Sequence, residues 1–440
     1  VTSRSSLLTM DAGSQATPHQ LVVNTGVLDL GASQQTLYAV QQNGGSITNG
    51  TLTALTDFEL RAGTVTATLG GDVGLNKTTA GEVTLGGPAT YTYTGRTTVQ
   101  AGNLVLSGEE RLYAQGAATV AADGTLTLGG QQTLASLRLA GQLAGSGQLL
   151  TPDFSASSGR IDLPFSADRF DVSGQSQINA DATIGEVNVQ PGARLVMGTA
   201  SRLIGTNRLS VESTGTLRLN SDQSVGSFIL AGVLDGTGTL SASTYSLQGG
   251  QALAPLGTGL LSSSGASLLD APARVTRVQV TGGSFTTGTH GTLDNLPAVV
   301  VDANASWLLQ GSQRIGSLAG AGNVLLDTFS LTTGVLGGTR FDGVLSGTGN
   351  LVKEGTSTFE LGGGNTYVGG TDVIDGTLAL LGSNRLADTG AVRVSAPATL
   401  VVDGTDTVAS LDLAGLLRGS GTLTAATYTL QGGTARAALG

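Results

Sequence analysis

The chain has 440 residues, 69 of them Gly and only 9 Pro, with 39% hydrophobic and 12% charged residues. Its net charge of −10, with lysine only at Lys77 and Lys353, leaves no basic stripe for nucleic acid or an anionic membrane. It has no cysteine, which excludes a disulfide scaffold and thiolate metal sites, and no apolar run approaches the ~20 residues that span a bilayer.

Residues 1–112 form the first of several similar segments. The opening Val1-Thr2-Ser3-Arg4 lacks the charged-then-apolar pattern of an export signal, so such a signal is expected outside this sequence. From Gly26 the chain alternates apolar and polar residues over four or five positions, then breaks at Gly, Asn, Asp or Ser. No helical period persists. The same marker, a small residue followed by alternating apolar positions, returns at Gly124, Gly215, Ala305 and Ala398. Subtraction gives spacings of 98, 91, 90 and 93 residues. The super-repeats then run at about 1–112, 113–203, 204–293 and 294–386, with a partial copy at 387–440.

A second signature follows the same order. Leu139-Ala140-Gly141-Gln142-Leu143-Ala144-Gly145 returns as Leu230-Ala231-Gly232-Val233-Leu234-Asp235-Gly236, is shortened at Leu318-Ala319-Gly320, and returns again as Leu413-Ala414-Gly415-Leu416-Leu417-Arg418-Gly419. Each super-repeat holds four or five strand-turn units, so one rung is about 20 residues, the size of a solenoid coil. One such rung cannot bury its apolar face, whereas stacked rungs bury it against each other and pair their backbones in parallel. The expected fold is all-β: a right-handed parallel β-helix (β-solenoid), continuous over 1–440 and cut from a longer protein. About 20 rungs at the ~4.8 Å strand spacing would make a rod of about 95 Å. Cut rungs would expose strand edges near Val1 and Gly440, where fraying or end-to-end association is expected.

The repeat turns single residues into columns. Leu28, Leu126, Leu217, Trp307 and Leu400 share one, so the only tryptophan is expected in the core rather than stacked on sugar. Phe58, Phe154, Tyr245, Phe329 and Tyr428 share another, read as an aromatic layer at strand ends, with an exposed glycan ladder as the alternative. Gln35, Gln132, Gln223, Gln313 and Asp406 form a polar column at a turn, expected to pair with each other and with the backbone.

One stretch carries a family resemblance. Gly347-Thr348-Gly349-Asn350-Leu351-Val352-Lys353-Glu354-Gly355-Thr356 continues into Phe359-Glu360-Leu361-Gly362-Gly363-Gly364-Asn365-Thr366-Tyr367 and closes on Asp375-Gly376-Thr377-Leu378-Ala379-Leu380. A weaker copy runs from Gly74-Leu75-Asn76-Lys77 through Tyr91-Thr92-Tyr93 to Gly102-Asn103-Leu104-Val105-Leu106, and the two lysines occupy the same place in both. These residues resemble the passenger-associated repeat of bacterial autotransporters and of two-partner-secreted proteins like filamentous haemagglutinin. The resemblance implies a parallel β-helix, passage through an outer-membrane transporter, and display on the cell surface, anchored through parts outside this segment. It also implies an adhesive shaft, mediating cell–cell or cell–matrix (biofilm) attachment through multivalent contact with extracellular polysaccharide or a neighbouring cell surface.

A catalytic set is not expected. His19 and His290 lie in separate repeats, without a Gly-x-Ser-x-Gly serine or ligand-spaced partners for zinc. The nearest carboxylate pairs, Glu109-Glu110 and Asp403 with Asp406, sit in turns where acids usually face water. A polysaccharide-cleaving β-helix and a ligand-free spacer are the alternatives. No cofactor is expected, and Asp235-Gly236-Thr237-Gly238 and Asp72-Val73-Gly74 only weakly resemble calcium turns.

Overall fold

The computed structural model describes residues 7–9, 20–87 and 91–440. Within them the chain forms strands and no helix. It divides into two compact units, Val1–Ser224 and Val225–Gly440. Each is a parallel β-solenoid, and together they make about 23 turns. No helix is long and apolar enough to cross a membrane among the described residues.

The local sequence explains the rungs. Strands such as Arg194–Met197 alternate half-buried and buried positions, because successive side chains point to opposite faces. Between strands the backbone must reverse within a few residues. Asn49 and Gly50 do this with φ of 57° and 55°, a left-handed pair that Asn and Gly adopt most readily.

Rung length is set by the loops, not by a fixed period. In the first unit one inward column runs Phe58, Leu75, Thr97, Ala118, Leu137, Phe154, Phe170, Val187 and Leu209. Its steps range from 16 residues (154 to 170) to 22 (187 to 209). A neighbouring column, Val83, Leu104, Leu126, Leu143, Ile161, Ile178, Met197 and Leu219, is aliphatic throughout and buried at every step. In the second unit Tyr245, Leu261, Val278, Val299 and Leu318 stack in the same way. Such continuous aliphatic stacks are the main source of hydrophobic stabilisation, at about 25 cal/mol per Å² buried.

The core column anticipated from the repeat is buried at all five positions, including Trp307 at 0% exposure. The indole stacks in register between Phe285 and Val324 and donates its N–H to Thr287 Oγ1 at 3.3 Å. Leu126 and Leu217, however, stand in adjacent inward columns: Leu126 leads to Leu219, whereas Leu217 pairs with Leu195 and Ser176. Variable loops slip the super-repeat relative to the spatial ladder.

The aromatic column needs a larger correction. Phe58 opens its strand, but Phe154, Tyr245 and Tyr428 lie inside long bent strands, and Phe329 sits half-buried in a turn. The two tyrosines pin the bend. Tyr245 Oη accepts the Ala242 N–H at 2.8 Å and donates to the Leu240 carbonyl at 2.9 Å; Tyr428 does the same with Ala425 (2.7 Å) and Leu423 (2.9 Å). Phe154 instead joins Phe165 and Phe170 in an edge-on cluster with centroids 4.9–5.6 Å apart.

Candidate functional site

Three sets of polar residues are placed by this stacking: a buried amide column, two buried lysines, and an outward face in the first unit. The amide column does not pair with itself, because several rungs separate its members. Three of the four amides instead pin the backbone of the preceding rung. Gln132 accepts the Arg111 N–H at 2.6 Å and donates to the Gly108 carbonyl at 2.7 Å. Gln223 does so with Leu203 (2.8 Å) and Ser201 (2.9 Å), and Gln313 with Leu293 (3.2 Å) and Gly291 (2.7 Å). Gln35 bonds to Ser33 Oγ. Each has a buried side chain. Two backbone groups that a short turn leaves without a ladder partner are thereby satisfied. Asn365 plays the same part, taking the Leu345 N–H at 2.8 Å and donating to the Arg385 carbonyl at 2.8 Å. It was not anticipated from sequence, since it falls outside the repeat spacing, although a polar residue within an apolar alternation was the available signal.

Asp406 departs from the expectation that acids in turns face water. It is 1% exposed, and its Oδ1 accepts the N–H groups of Arg385 (2.6 Å) and Leu386 (2.9 Å). Its Oδ2 has no hydrogen-bond partner. Burial pushes its carboxyl above the usual range, against the pull of those two amides. Asp403, three residues earlier, is exposed and bonded to Ser420. The strand alternation therefore splits this candidate acid pair between inside and outside. Glu110 is likewise engaged: its carboxylate accepts the Thr133 hydroxyl at 2.7 Å and the Thr133 N–H at 3.1 Å, while Glu109 is exposed. His290 is exposed on a turn, with its ring beside Thr289 and Asp270. His19 lies outside the described residues. Asp72 accepts the Thr94 hydroxyl at 2.9 Å, and no three His, Asp or Glu side chains gather as a metal site among the described residues.

The two lysines are both fully buried. Lys353 Nζ donates to the carbonyls of Glu354 (2.9 Å), Gly355 (2.7 Å) and Asp375 (3.0 Å). Lys77 Nζ donates to those of Thr79 and Ala101, the latter at 2.9 Å. In each copy the ammonium fills a turn where carbonyls of successive rungs converge. Burial lowers both ammonium pKa values from the ordinary lysine range. A second matched pair follows: Tyr93 Oη lies 2.7 Å from Thr97 Oγ1, and Tyr367 Oη 2.6 Å from Thr371 Oγ1, all within the core.

The outward face of the first unit carries in-register polar columns. Asp153, Arg169, Glu186 and Arg208 alternate in charge on successive rungs, an arrangement that places opposite charges one strand apart. On another side Gln142, Arg160 and Gln177 form one column, and Gln175 and Arg194 the next. Arg160 is held by Asp162 at 2.7 Å. Asp162 also accepts Gln142 (2.8 Å) and Asn179 (2.7 Å), whose Oδ1 accepts Gln177 at 2.7 Å. Burial pushes the Asp162 carboxyl up, but the bonds from Asn179, Arg160 and Gln142 outweigh it and hold it below the usual range. The floor here is nearly bare backbone. A Cβ on Gly141 would strike the carbonyls of Gly124 and Ala121, and one on Gly159 the carbonyl of Gly141. The missing side chains leave an open concavity of about 490 Å³ between these columns, bordered by Asp123.

Comparison with known proteins gives this architecture a family context. A family model described as the passenger-associated transport repeat matches residues 75–106 and 351–380, the segments that hold the two buried lysines. The Neisserial autotransporter lipoprotein NalP of Neisseria meningitidis serogroup B is 33% identical over 129 residues, 29% of this chain and 11% of that protein. The adhesin BmaC autotransporter of Brucella suis biovar 1 is 44% identical over 96 residues, 21% of this chain and 3% of that protein. The matched part thus spans about a tenth or less of the length of these relatives. No solved structure matches the chain significantly. With two transport repeats set in parallel solenoid rungs and autotransporters among its relatives, the chain is similar to passenger sequence of secreted, surface-exposed autotransporters.

Proposed function

We propose that this segment is the non-catalytic adhesive shaft of a surface adhesin, acting through weak contacts repeated along its rungs, with extracellular polysaccharide as the favoured partner. The observation that carries this reading is the set of outward polar columns, which present charged and amide groups at the rung spacing. Contacts too weak to act singly gain avidity when several engage one chain or surface. The adhesin relative supports it. So do the fates of the candidate acids: Glu110 caps the next rung and Asp406 is turned into the core, so neither pair can flank a scissile bond. A role in biofilm attachment follows as an extension of the same reading.

The test is direct. Beads coated with the 440-residue chain are scored for attachment to matrix-bearing and matrix-stripped bacterial surfaces. Attachment that rises steeply with coating density and falls on stripping supports the proposal. Attachment no better than for uncoated beads sinks it.

A further inference from the structure

We infer that the concavity over residues 122–196 is a subsite for an anionic polysaccharide, a uronate-type chain lying across successive rungs. The inference rests on the adhesive reading above and gives it a face and a ligand chemistry. Its volume of about 490 Å³ lies within the range of small-ligand sites.

Arg160 is already paired with Asp162, so the cation open to a ligand is Arg194. Arg194 is half-buried, yet it has no ion pair or hydrogen bond among the described residues. A guanidinium at the concavity without a partner can take a carboxylate with two parallel bonds. Arg160 stands two rungs away and two residues along the strand, roughly 12 Å at the ~4.8 Å strand spacing and ~3.3 Å rise. With the reach of both side chains, carboxylates on alternate sugars of an extended chain would meet the two groups in turn. Arg160 is already oriented by Asp162, which is itself fixed by Gln142 and Asn179. Little side-chain freedom is left to lose on binding.

The rung between them supplies Gln175 and Gln177, both lining the concavity. Gln177 spends its amide N–H on Asn179, which leaves its carbonyl to accept a sugar hydroxyl. The glycine floor lets a flat ring approach the backbone. Asp123 at the rim disfavours a carboxylate at that end of the concavity. Nucleic acid fits poorly, because no aromatic side chain lines the concavity to stack a base.

The experiment is calorimetric titration of the 440-residue chain with a hexa-uronate, a neutral hexaglucan and a single-stranded DNA of equal charge. The hexa-uronate should bind with a salt-sensitive affinity, and Arg194→Ala should weaken it at least tenfold, with Arg194→Lys intermediate. Circular dichroism of each variant checks the fold. Equal hexa-uronate affinity in Arg194→Ala and the parent overturns the site, as does preference for the glucan or the DNA. The bead assay on the same proteins separates the two readings. Attachment that persists without uronate binding removes this subsite and leaves the adhesive role, whereas loss of both removes both.

Discussion

Replacing Lys353 with Met tests the reading of the transport repeat most sharply. Met keeps the length and fills the same space but cannot donate. Three carbonyls, those of Glu354, Gly355 and Asp375, then lose their shared donor. A stranded buried acceptor costs about 1–3 kcal/mol. Against this, Met removes the cost of burying an ammonium, which the lowered pKa of Lys353 records. Such a relief alone can stabilise a protein by about 1–4 kcal/mol. With three acceptors at 2.7–3.0 Å the first effect should win, leaving a net loss of about 3–5 kcal/mol. Lys77 bonds two carbonyls, so Lys77→Met should cost less. The assay is urea unfolding, with amide exchange followed at residues 353–357 and 375–377. A Lys353→Met chain as stable as the parent, or more stable, would refute the argument that these lysines are carbonyl pins.

The other expectations are simpler to state. Asp406 has a raised folded-state pKa, so its contribution to stability is fully present below the ordinary carboxylate range and lost as pH rises through the folded value. Asp406→Asn should therefore gain stability at neutral pH and none in acid; parallel pH–stability curves for the two proteins would contradict this. Gln223→Leu strands the Leu203 N–H, while the Ser201 carbonyl keeps the Ser221 hydroxyl at 3.0 Å, and should cost about 1–3 kcal/mol in denaturant unfolding. Trp307, the sole tryptophan, should emit at short wavelength and resist iodide quenching, and adding glycan should leave its emission unchanged. Trp307→Ala should cost about 3–5 kcal/mol through the cavity it leaves. Gly141→Val should disrupt the rungs around it, read as lost exchange protection over residues 121–145, because its Cβ would meet backbone rather than a movable side chain.

Much of this protein was legible in its sequence because a solenoid makes local pattern into structure. Alternation of Leu and Val between glycines sets which side chains face inward, and parallel stacking repeats that choice rung after rung. Hence the all-β fold, the burial of Trp307 and the matched places of Lys77 and Lys353 follow from spacing alone. What the spacing could not determine depends on loop length and on neighbours remote in sequence. Rungs of 16 to 22 residues slip the super-repeat against the ladder, which separates Leu126 from Leu217. Asp406 and Asp403 look alike as turn acids, yet one points to the core and the other to water, because a one-residue change of phase reverses the face. The same rule hid the concavity beside Arg194. Its lining comes from five rungs, and only the parallel register brings Arg160, Gln177 and Arg194, 17 positions apart in turn, onto one face.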